Sequence, residues 1–404
     1  MKRIIPLILL ACLTAVCVTW FASLVVRASE DAKCRRGAAL ARAGRAATAT
    51  GDILIGVPYN FGGSFPVKRG AALAAKEVNA SGGVLGRKIR LIFKDDGGNT
   101  QQAARVAQAF ADNLDVVAVS GHPYSSIAVP TAIMYEYSGL IFTTIAMNAR
   151  LTKVGYRRVF RQNITDEAFS KEAVILADRS KYRKIAIYYR NDAYGRGMAG
   201  VFQREAELYG VTVTHTASYE PGSDQRVFAK DMNRWAQNQT FDAVFIVCFP
   251  REAPDILKAV RAADIQSPLL GSEGMAEDQI VKTAGYAAEG MTVLSIFHPD
   301  MPFPETREFV SAFEKAYGQT PQFYDAAAYD TVKLLAHAMA QAKTTVPDKV
   351  ADALRQVKNW PGATGPHTTK ENGDMVKPVV YIKVVDGKFR YQGMSGHGIS
   401  QKQG

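Results

Sequence analysis

The sequence predicts an α/β protein with parallel sheets arranged in two similar, Rossmann-like lobes. From Asp52 onward, short apolar runs alternate with helical segments of ten or more residues, which is typical of βαβ units. The alternation occurs in two successive series, and 404 residues, 47% of them hydrophobic, can form two large cores. Ligands of such sheets lie beyond the carboxyl ends of the strands, so we expect a binding site there.

The first series covers the segment after Asp52. Continuous apolar runs rich in β-branched residues predict its strands, and longer periodic segments predict its helices. The Gly82-Gly83 pair ends the first of these helices. The strands are predicted at Ile53–Val57, Ile89–Phe93, Val116–Val119, Leu140–Thr143 and around Val159, and the helices at Val67–Asn79, Thr100–Ala111 and Ser126–Tyr137.

The second series has the same rhythm. Its strands are predicted at Lys184–Tyr189, Val211–Ala217, Ala243–Val247, Pro268–Gly271 and Met291–Phe297, and its helices at Glu167–Arg179, Tyr194–Tyr209, Gln225–Gln237 and Ala253–Ala263. Three helices follow at Pro304–Tyr317, Asp325–Gln341 and Pro347–Val357. The chain then forms a hairpin from Val379–Val385 and Phe389–Gln392, because Asp386-Gly387 between them is a strong turn signal.

The net charge of +11 is concentrated at the amino terminus. Eight lysines and arginines against two acids in residues 1–50 account for +6, so only +5 remains for the rest of the chain. A modest excess over a large domain is typical of a solvated surface, and we predict no nucleic-acid partner. The cysteines and histidines form no metal-ligand pattern, so we predict no metal site and no cofactor.

The first 51 residues divide into two segments. Lys2 and Arg3 precede 23 uncharged residues from Ile4 to Val26, which predicts an export signal or a membrane anchor over residues 1–28. Residues 29–51 are rich in Ala and Arg without apolar periodicity, so they are predicted to form a linker.

The segment from Asp115 to Pro130 is the first candidate for a site. A buried strand ends at Gly121 and Pro123, and Ser125 and Ser126 then begin a helix. Free backbone N–H groups and the helix dipole favour an anion at such a point, for example the carboxylate of a small ligand. The alternative is that one of the serines caps its own helix.

Several motifs, in order along the folded part, resemble the type I periplasmic binding proteins, specifically the leucine/isoleucine/valine-binding branch of ABC importers. The matches are Gly82-Gly83-Val-Leu-Gly86-Arg87-Lys88 with Asp95-Asp96, Gly121 with Ser125-Ser126, Asn191-Asp192-Ala-Tyr194-Gly195, Gly271-Ser-Glu273-Gly274 and Tyr324-Asp325-Ala-Ala-Ala-Tyr329-Asp330. The resemblance implies two Rossmann-like lobes joined by a three-stranded hinge, with residues 52–165 plus 297–366 in lobe 1 and 166–296 plus 367–404 in lobe 2. Ligand would be held between lobes that close by hinge motion.

The resemblance also implies ligand contacts. Ser125 would bind a carboxylate, and Ala146 and Asn148, after the next strand, would add backbone and side-chain contacts. Tyr194 matches the aromatic residue of the second lobe, and Glu273 matches the acid that meets an amino group, since a buried ammonium needs a carboxylate partner.

Two further aromatic residues are candidates for the apolar wall of the cleft, Phe249 after the Ala243 strand and Phe65 in the first loop. Each predicted contact has an alternative: Glu273 as a solvated loop residue, Tyr194 as a packing residue and Phe249 as part of the core. His122 lacks a catalytic partner nearby and is interpreted as a turn or lobe-surface residue.

The sequence therefore predicts an exported, extracytoplasmic, monomeric solute-binding protein with no catalytic residues. It would capture an amino acid or a related small carboxylate ligand for an ABC permease. The cysteine pair of some amino-acid binders is absent, and Gly97 and Tyr124 lie near its expected places, so an amide, a carboxylic acid or an aromatic ligand would also suit the cleft. The alternative is a sensing module of the same fold, tethered by residues 4–26. An α/β enzyme is disfavoured because no G-x-S-x-G or P-loop motif follows a strand.

Overall fold

Two β-sheets form the framework of the protein, each covered by helices. The structure is a computed structural model that describes residues 37–63 and 65–395. The predicted strands and helices of both series are present, with ends within two residues of their expected positions. Within the described ranges, no helix is both long enough and apolar enough to cross a membrane.

The first sheet belongs to lobe 1 and is entirely parallel, with strand order β2-β1-β3-β4-β5. Its strands are β1 (Ile53–Tyr59), β2 (Ile89–Asp95), β3 (Val116–Ser120), β4 (Ile141–Thr144) and β5 (Val159–Arg161). The helices of this part of the chain are α1 (residues 37–48), α2 (Val67–Ala80), α3 (Thr100–Asp112), α4 (Ser125–Tyr137) and the short α5 (Arg150–Lys153).

The second sheet belongs to lobe 2 and has seven strands in the order β15-β14-β10-β9-β8-β6-β7. Its parallel strands are β6 (Lys184–Arg190), β7 (Thr212–Tyr219), β8 (Ala243–Val247), β9 (Leu269–Gly271) and β10 (Thr292–Ser295). The accompanying helices are α6 (Asp166–Arg179), α7 (Ala193–Leu208), α8 (Gln225–Ala236), α9 (Ala253–Ala262) and α10 (Asp278–Ala284). β8 is buried at every position, as expected for a strand with helices on both faces.

The C-terminal part of the chain contributes to both lobes. α11 (Pro304–Tyr317), α12 (Phe323–Ala342) and α13 (Pro347–Arg355) return to lobe 1, where α12 packs along α2. Three short strands, β11 (Trp360–Gly362), β12 (Gly365–Thr369) and β13 (Met375–Val376), form a small antiparallel sheet. The predicted hairpin, β14 (Val380–Val385) and β15 (Lys388–Met394), then completes the sheet of lobe 2.

Three segments cross between the lobes, after β5, after β10 and before β14. The prediction puts the last boundary at residue 367, but residues 365–376 remain with lobe 1. Their small sheet bonds back to β5, because Arg161 N donates to Gly373 O at 2.9 Å. The third crossing therefore begins near Lys377, whose ammonium donates to the backbone oxygen of Gln162 in the first crossing at 3.1 Å.

The structure contradicts the linker predicted over residues 29–51 for the part that it describes. Residues 37–48 form helix α1, because their alanine-rich sequence has strong intrinsic helix propensity even without apolar periodicity. The helix is held by Arg42, a fully buried residue whose guanidinium donates to the backbone oxygens of Val116 at 2.9 Å and Ala111 at 2.7 Å. The signal or anchor predicted over residues 1–28 lies outside the described residues.

We expect Arg42→Ala to lower the free energy of unfolding by about 2–4 kcal/mol, because the buried carbonyls that it bonds would lose their donors. Urea unfolding of the full chain measures this loss. Arg45→Ala is the matched control on the same helix: its side chain is 57% exposed and pairs with Asp115 at 2.6 Å, so its loss is expected to stay below about 1 kcal/mol. An equal decrease in the free energy of unfolding for both variants would contradict the conclusion that Arg42 holds α1 in place.

Candidate functional site

A buried crevice lies between the two lobes, beyond the carboxyl ends of the parallel strands. Its own side chains nearly fill it, and the cavity that remains has a volume of only about 10 Å³. Both lobes contribute to its lining, which consists of Phe65, Pro123, Ser125, Ile145, Met147, Asn163, Tyr194, Phe249, Glu273, Phe323 and Tyr324. The structure thus brings together five of the predicted contact residues, whereas Ala146 and Asn148 are not in the lining but flank its Met147 in sequence.

Ser125 is at the first position of α4 and is only 1% exposed. Its hydroxyl does not cap its own helix; it accepts a hydrogen bond from the backbone N–H of Asn148 at 3.3 Å. The helix begins without any side-chain cap on its N–H groups. The hydroxyl hydrogen of Ser125 and the positive end of the helix dipole are therefore available at the crevice.

Ala146 and Asn148 belong to the loop after β4, which Arg161 holds from behind. The buried guanidinium of Arg161 donates to the backbone oxygens of Ala146 and of Asn148, the latter at 3.0 Å. The side chain of Asn148 points to lobe 2, where Nδ2 donates to the backbone oxygen of Ala193 at 2.7 Å. The loop is therefore fixed by the hinge and touches the opposite lobe.

Aromatic rings from both lobes form the wall of the crevice. Phe249, which follows β8, contacts Phe65 and Tyr124 of lobe 1 edge-to-face, with ring centroids 5.4 and 5.1 Å apart. Phe249 also stacks on Tyr194 at 4.7 Å, and Phe65 meets Tyr324 at 4.6 Å. The contacts of Phe249 with Phe65 and Tyr124 join the lobes across the crevice, and the rings together give it one apolar side.

Glu273 and Tyr194 provide the polar side of lobe 2. Glu273 follows β9 in a 3-10 turn and is 4% exposed, and the Tyr194 hydroxyl in the first turn of α7 donates to its Oε2 at 2.8 Å. Burial raises the pKa of the Glu273 carboxyl to about 7, although the bonds from Tyr194 and from the backbone N–H of Gly274 act in the opposite direction. Burial also raises the pKa of the nearby Asp166 carboxyl to about 6.

His122 lies in the turn after β3, as one of its two interpretations has it, and the alternative of a lobe-surface position is wrong. His122 is not on the lobe surface: it is fully buried, with Nδ1 2.8 Å from Asp96 Oδ2 and Nε2 2.8 Å from the Tyr135 hydroxyl oxygen. Gly121 is required at this turn, because a Cβ there would lie 2.2 Å from the backbone oxygen of Pro58. The turn is therefore a packed support beneath Ser125.

Several crevice residues have little signal in the sequence. Tyr324 belongs to a motif noted above, but nothing in that motif shows that it faces a cleft. Asn163 follows the short strand β5, and its side chain bonds the backbone of Ile145 and Ile164 at 3.1 and 2.8 Å. Only the crossing of the chain between lobes brings such residues to the site. In the described part of the chain, no three His, Cys, Asp or Glu residues are placed to hold a metal ion.

Comparison with known proteins assigns the chain to a family. A model of the family described as periplasmic binding protein matches residues 52–388. The chain belongs to the periplasmic binding protein family.

Relatives of this periplasmic binding protein cover most of its length. The leucine-, isoleucine-, valine-, threonine- and alanine-binding protein of Pseudomonas aeruginosa is 29% identical over 316 residues, which are 76% of this chain and 82% of the relative. The crystal structure of an ABC transporter substrate-binding protein from Desulfitobacterium hafniense in complex with Leu is 33% identical with a TM-score of 0.75, and covers 84% of this chain and 99% of that chain.

A third relative extends the comparison to another branched-chain ligand. The branched-chain amino acid transporter substrate-binding protein of Streptococcus pneumoniae, solved in complex with isoleucine, is 25% identical with a TM-score of 0.76. The match covers 84% of this periplasmic binding protein and 97% of that chain. Both the two-lobe architecture and the parallel sheets expected from the sequence are thus confirmed.

The raised pKa of Glu273 predicts a pH dependence of stability. Between about pH 4.5 and 7 the folded chain retains a proton that the unfolded chain has released, so this group lowers the free energy of unfolding as pH rises. Glu273→Gln removes that effect. We expect the difference in free energy of unfolding, variant minus unmodified protein, to increase by as much as about 3 kcal/mol from pH 5 to pH 8. Urea unfolding at each pH measures it. A difference between the two proteins that is independent of pH would contradict the burial of an ionisable Glu273.

Proposed function

We propose that this protein is the extracytoplasmic solute-binding component of an ABC importer. It captures an amino acid, or a related small ligand with a carboxylate, between its lobes and delivers it to a permease in the inner membrane. The observation that carries the proposal is that Ser125 of lobe 1 and Glu273 of lobe 2 line the same buried crevice. A ligand with a negative and a positive end matches this polarity.

The side of Ser125 suits a carboxylate. The uncapped N–H groups at the start of α4 and the Ser125 hydroxyl are donors, and the helix dipole adds a partial positive charge. No charged side chain is needed on this side, since charge-assisted hydrogen bonds from N–H and O–H groups stabilise a carboxylate. Ala146 and Asn148 support this side through the loop that holds the Ser125 hydroxyl.

The side of Glu273 suits an ammonium group. A carboxyl buried this deeply is costly to ionise, and an ammonium group beside it compensates that cost. Tyr194 fixes the position of Glu273 Oε2, so the acid is oriented before ligand arrives. Phe65, Phe249 and Tyr324 then offer apolar surface to the ligand's side chain.

The relatives support the amino-acid class, because those from Desulfitobacterium hafniense and Streptococcus pneumoniae were solved with Leu and isoleucine. The eleven described residues that line the crevice include no histidine, cysteine or lysine, and we expect binding without chemistry. Export and a monomeric state complete the proposal. The tethered sensing module depends on residues 4–26, which lie outside the described residues, so no contact of the described chain favours it.

Calorimetry against a panel of amino acids and carboxylates tests the proposal. We expect binding of one ligand per chain, and we expect Glu273→Gln to weaken an amino acid at least tenfold, because a charged ammonium loses its partner. The same variant should change the affinity for the analogue without the amino group by less than about threefold, as for leucine against 4-methylpentanoate.

Glu277→Gln is the matched control for this experiment. Glu277 is also a buried acid whose pKa burial raises, but it does not line the crevice, so its substitution should not discriminate between the two ligands. If Glu273→Gln lowers the affinity for both ligands by the same factor, Glu273 does not contact the amino group of the ligand. No heat of binding across the whole panel would contradict the proposed function itself.

A further inference from the structure

We infer that Asn148 and Gly197 form a closure latch between the lobes, which sets how long a ligand stays bound. The inference rests on the proposed function, because a latch matters only if a ligand is held between the lobes. The Asn148 amide bonds the backbone oxygen of Ala193 at 2.7 Å, and Gly197 gives it the space to do so. Asn148 is thus a positioning residue that acts on every ligand alike.

The orientation of the Asn148 amide is fixed by two bonds. Oδ1 accepts from the backbone N–H of Arg150 at 3.1 Å, while Nδ2 donates to Ala193 O. Exchanging the two amide atoms would place an acceptor against each acceptor and a donor against each donor, so the assignment is unambiguous. The donor therefore faces lobe 2, and the residue is only 8% exposed.

The backbone of Asn148 is held firmly on lobe 1. Its N–H donates to the Ser125 hydroxyl oxygen at 3.3 Å, and its oxygen accepts from Arg161 Nη2 at 3.0 Å. Arg161 also bonds Asp374 through Nε at 3.0 Å, beside the third crossing. The latch is therefore anchored both to the carboxylate side of the crevice and to the hinge.

On lobe 2, helix α7 approaches this loop at a glycine. A Cβ at Gly197 would lie 2.4 Å from Asp166 Oδ2 and 3.1 Å from Asn148 Nδ2. Asp166 is itself fixed, because its Oδ1 accepts from the backbone N–H groups of Ala149 and Glu167 at 3.1 and 3.0 Å. A methyl group at Gly197 would thus displace Asp166, which is bonded to the loop of lobe 1, and would crowd the Asn148 amide.

Gly200 lies one turn further along α7 and provides a matched control. A Cβ at Gly200 would have Arg204 Nη1 as its nearest neighbour at 3.7 Å, which is an ordinary contact. Gly200→Ala and Gly197→Ala raise helix propensity equally. Any difference between them therefore reports the contacts of Gly197 with Asp166 and Asn148 and not the intrinsic stability of the helix.

The latch bond exists only when the lobes are together, so a ligand must wait for it to break before leaving. A hydrogen bond of ordinary net strength corresponds to roughly a two- to tenfold effect on an equilibrium constant. We expect Asn148→Ala to raise the dissociation rate of every panel ligand by about this factor, with little change in the association rate. Gly197→Ala should raise the rate more than tenfold, and Gly200→Ala less than twofold.

The experiment has two parts. Stopped-flow binding of the panel ligands measures the dissociation rates, and small-angle X-ray scattering of the full chain, with and without ligand, measures the radius of gyration. Asn148→Ala and Gly197→Ala should shift the ligand-bound protein towards a larger radius of gyration, and Gly200→Ala should not. Rescue is expected in Asn148→Gln only to the extent that its longer amide still reaches Ala193 O. If Asn148→Ala raises the dissociation rate by different factors for ligands with and without an amino group, the latch is overturned and Asn148 is a ligand contact. Equal rates for the two glycine variants would also overturn it.

The outcome is separable from failure of the proposed function. If the unmodified protein binds no ligand of the panel, the proposed function fails. The latch is then tested by scattering alone, because Gly197→Ala must still give a larger radius of gyration than Gly200→Ala in the absence of ligand. Equal radii in that comparison would overturn the latch independently.

Discussion

The guanidinium of Arg161 is the interaction on which the site depends. It is fully buried at the end of β5, where the first crossing begins, and it holds the oxygens of Ala146 and Asn148 on one side and Asp374 on the other. Burial lowers the pKa of Arg161, and the Asp374 carboxylate acts against that shift, so the charge persists because it is paired. One side chain thus ties the loop after β4 to the hinge, and this loop in turn positions Ser125, because the Asn148 N–H donates to the Ser125 hydroxyl oxygen.

In the proposed function, closure and ligand preference have a common electrostatic origin at Glu273. The aromatic rings of Phe65, Tyr124 and Phe249 meet across the crevice and exclude water from the acid. Removing water makes an unpaired carboxylate unfavourable and strengthens its attraction to an ammonium group. Under the proposed function, an amino acid that spans the crevice would therefore stabilise the closed arrangement, whereas a ligand without a positive end would leave Glu273 protonated or costly to ionise.

The fold could be predicted from the sequence because doubly covered parallel strands are continuous apolar runs with regular spacing. Helix α1 could not, since its alanine-rich segment has no apolar stripe and its anchor, Arg42, bonds oxygens some seventy residues away. The burial of His122 could not be predicted for the same reason, since its partners are distant in sequence. At the site, motif order predicted the residues that line the crevice from strand ends, such as Glu273. Contacts between the lobes, such as the bond from Asn148 to Ala193, have no local signal in the sequence.

A crystal structure of the protein with the ligand selected by the panel tests the central claim most directly. We predict that the ligand lies in the interlobe crevice, with its carboxylate within hydrogen-bond distance of the Ser125 hydroxyl and its ammonium group within hydrogen-bond distance of the Glu273 carboxylate. A ligand bound outside the crevice, or bound with its carboxylate turned towards Glu273, would contradict the account.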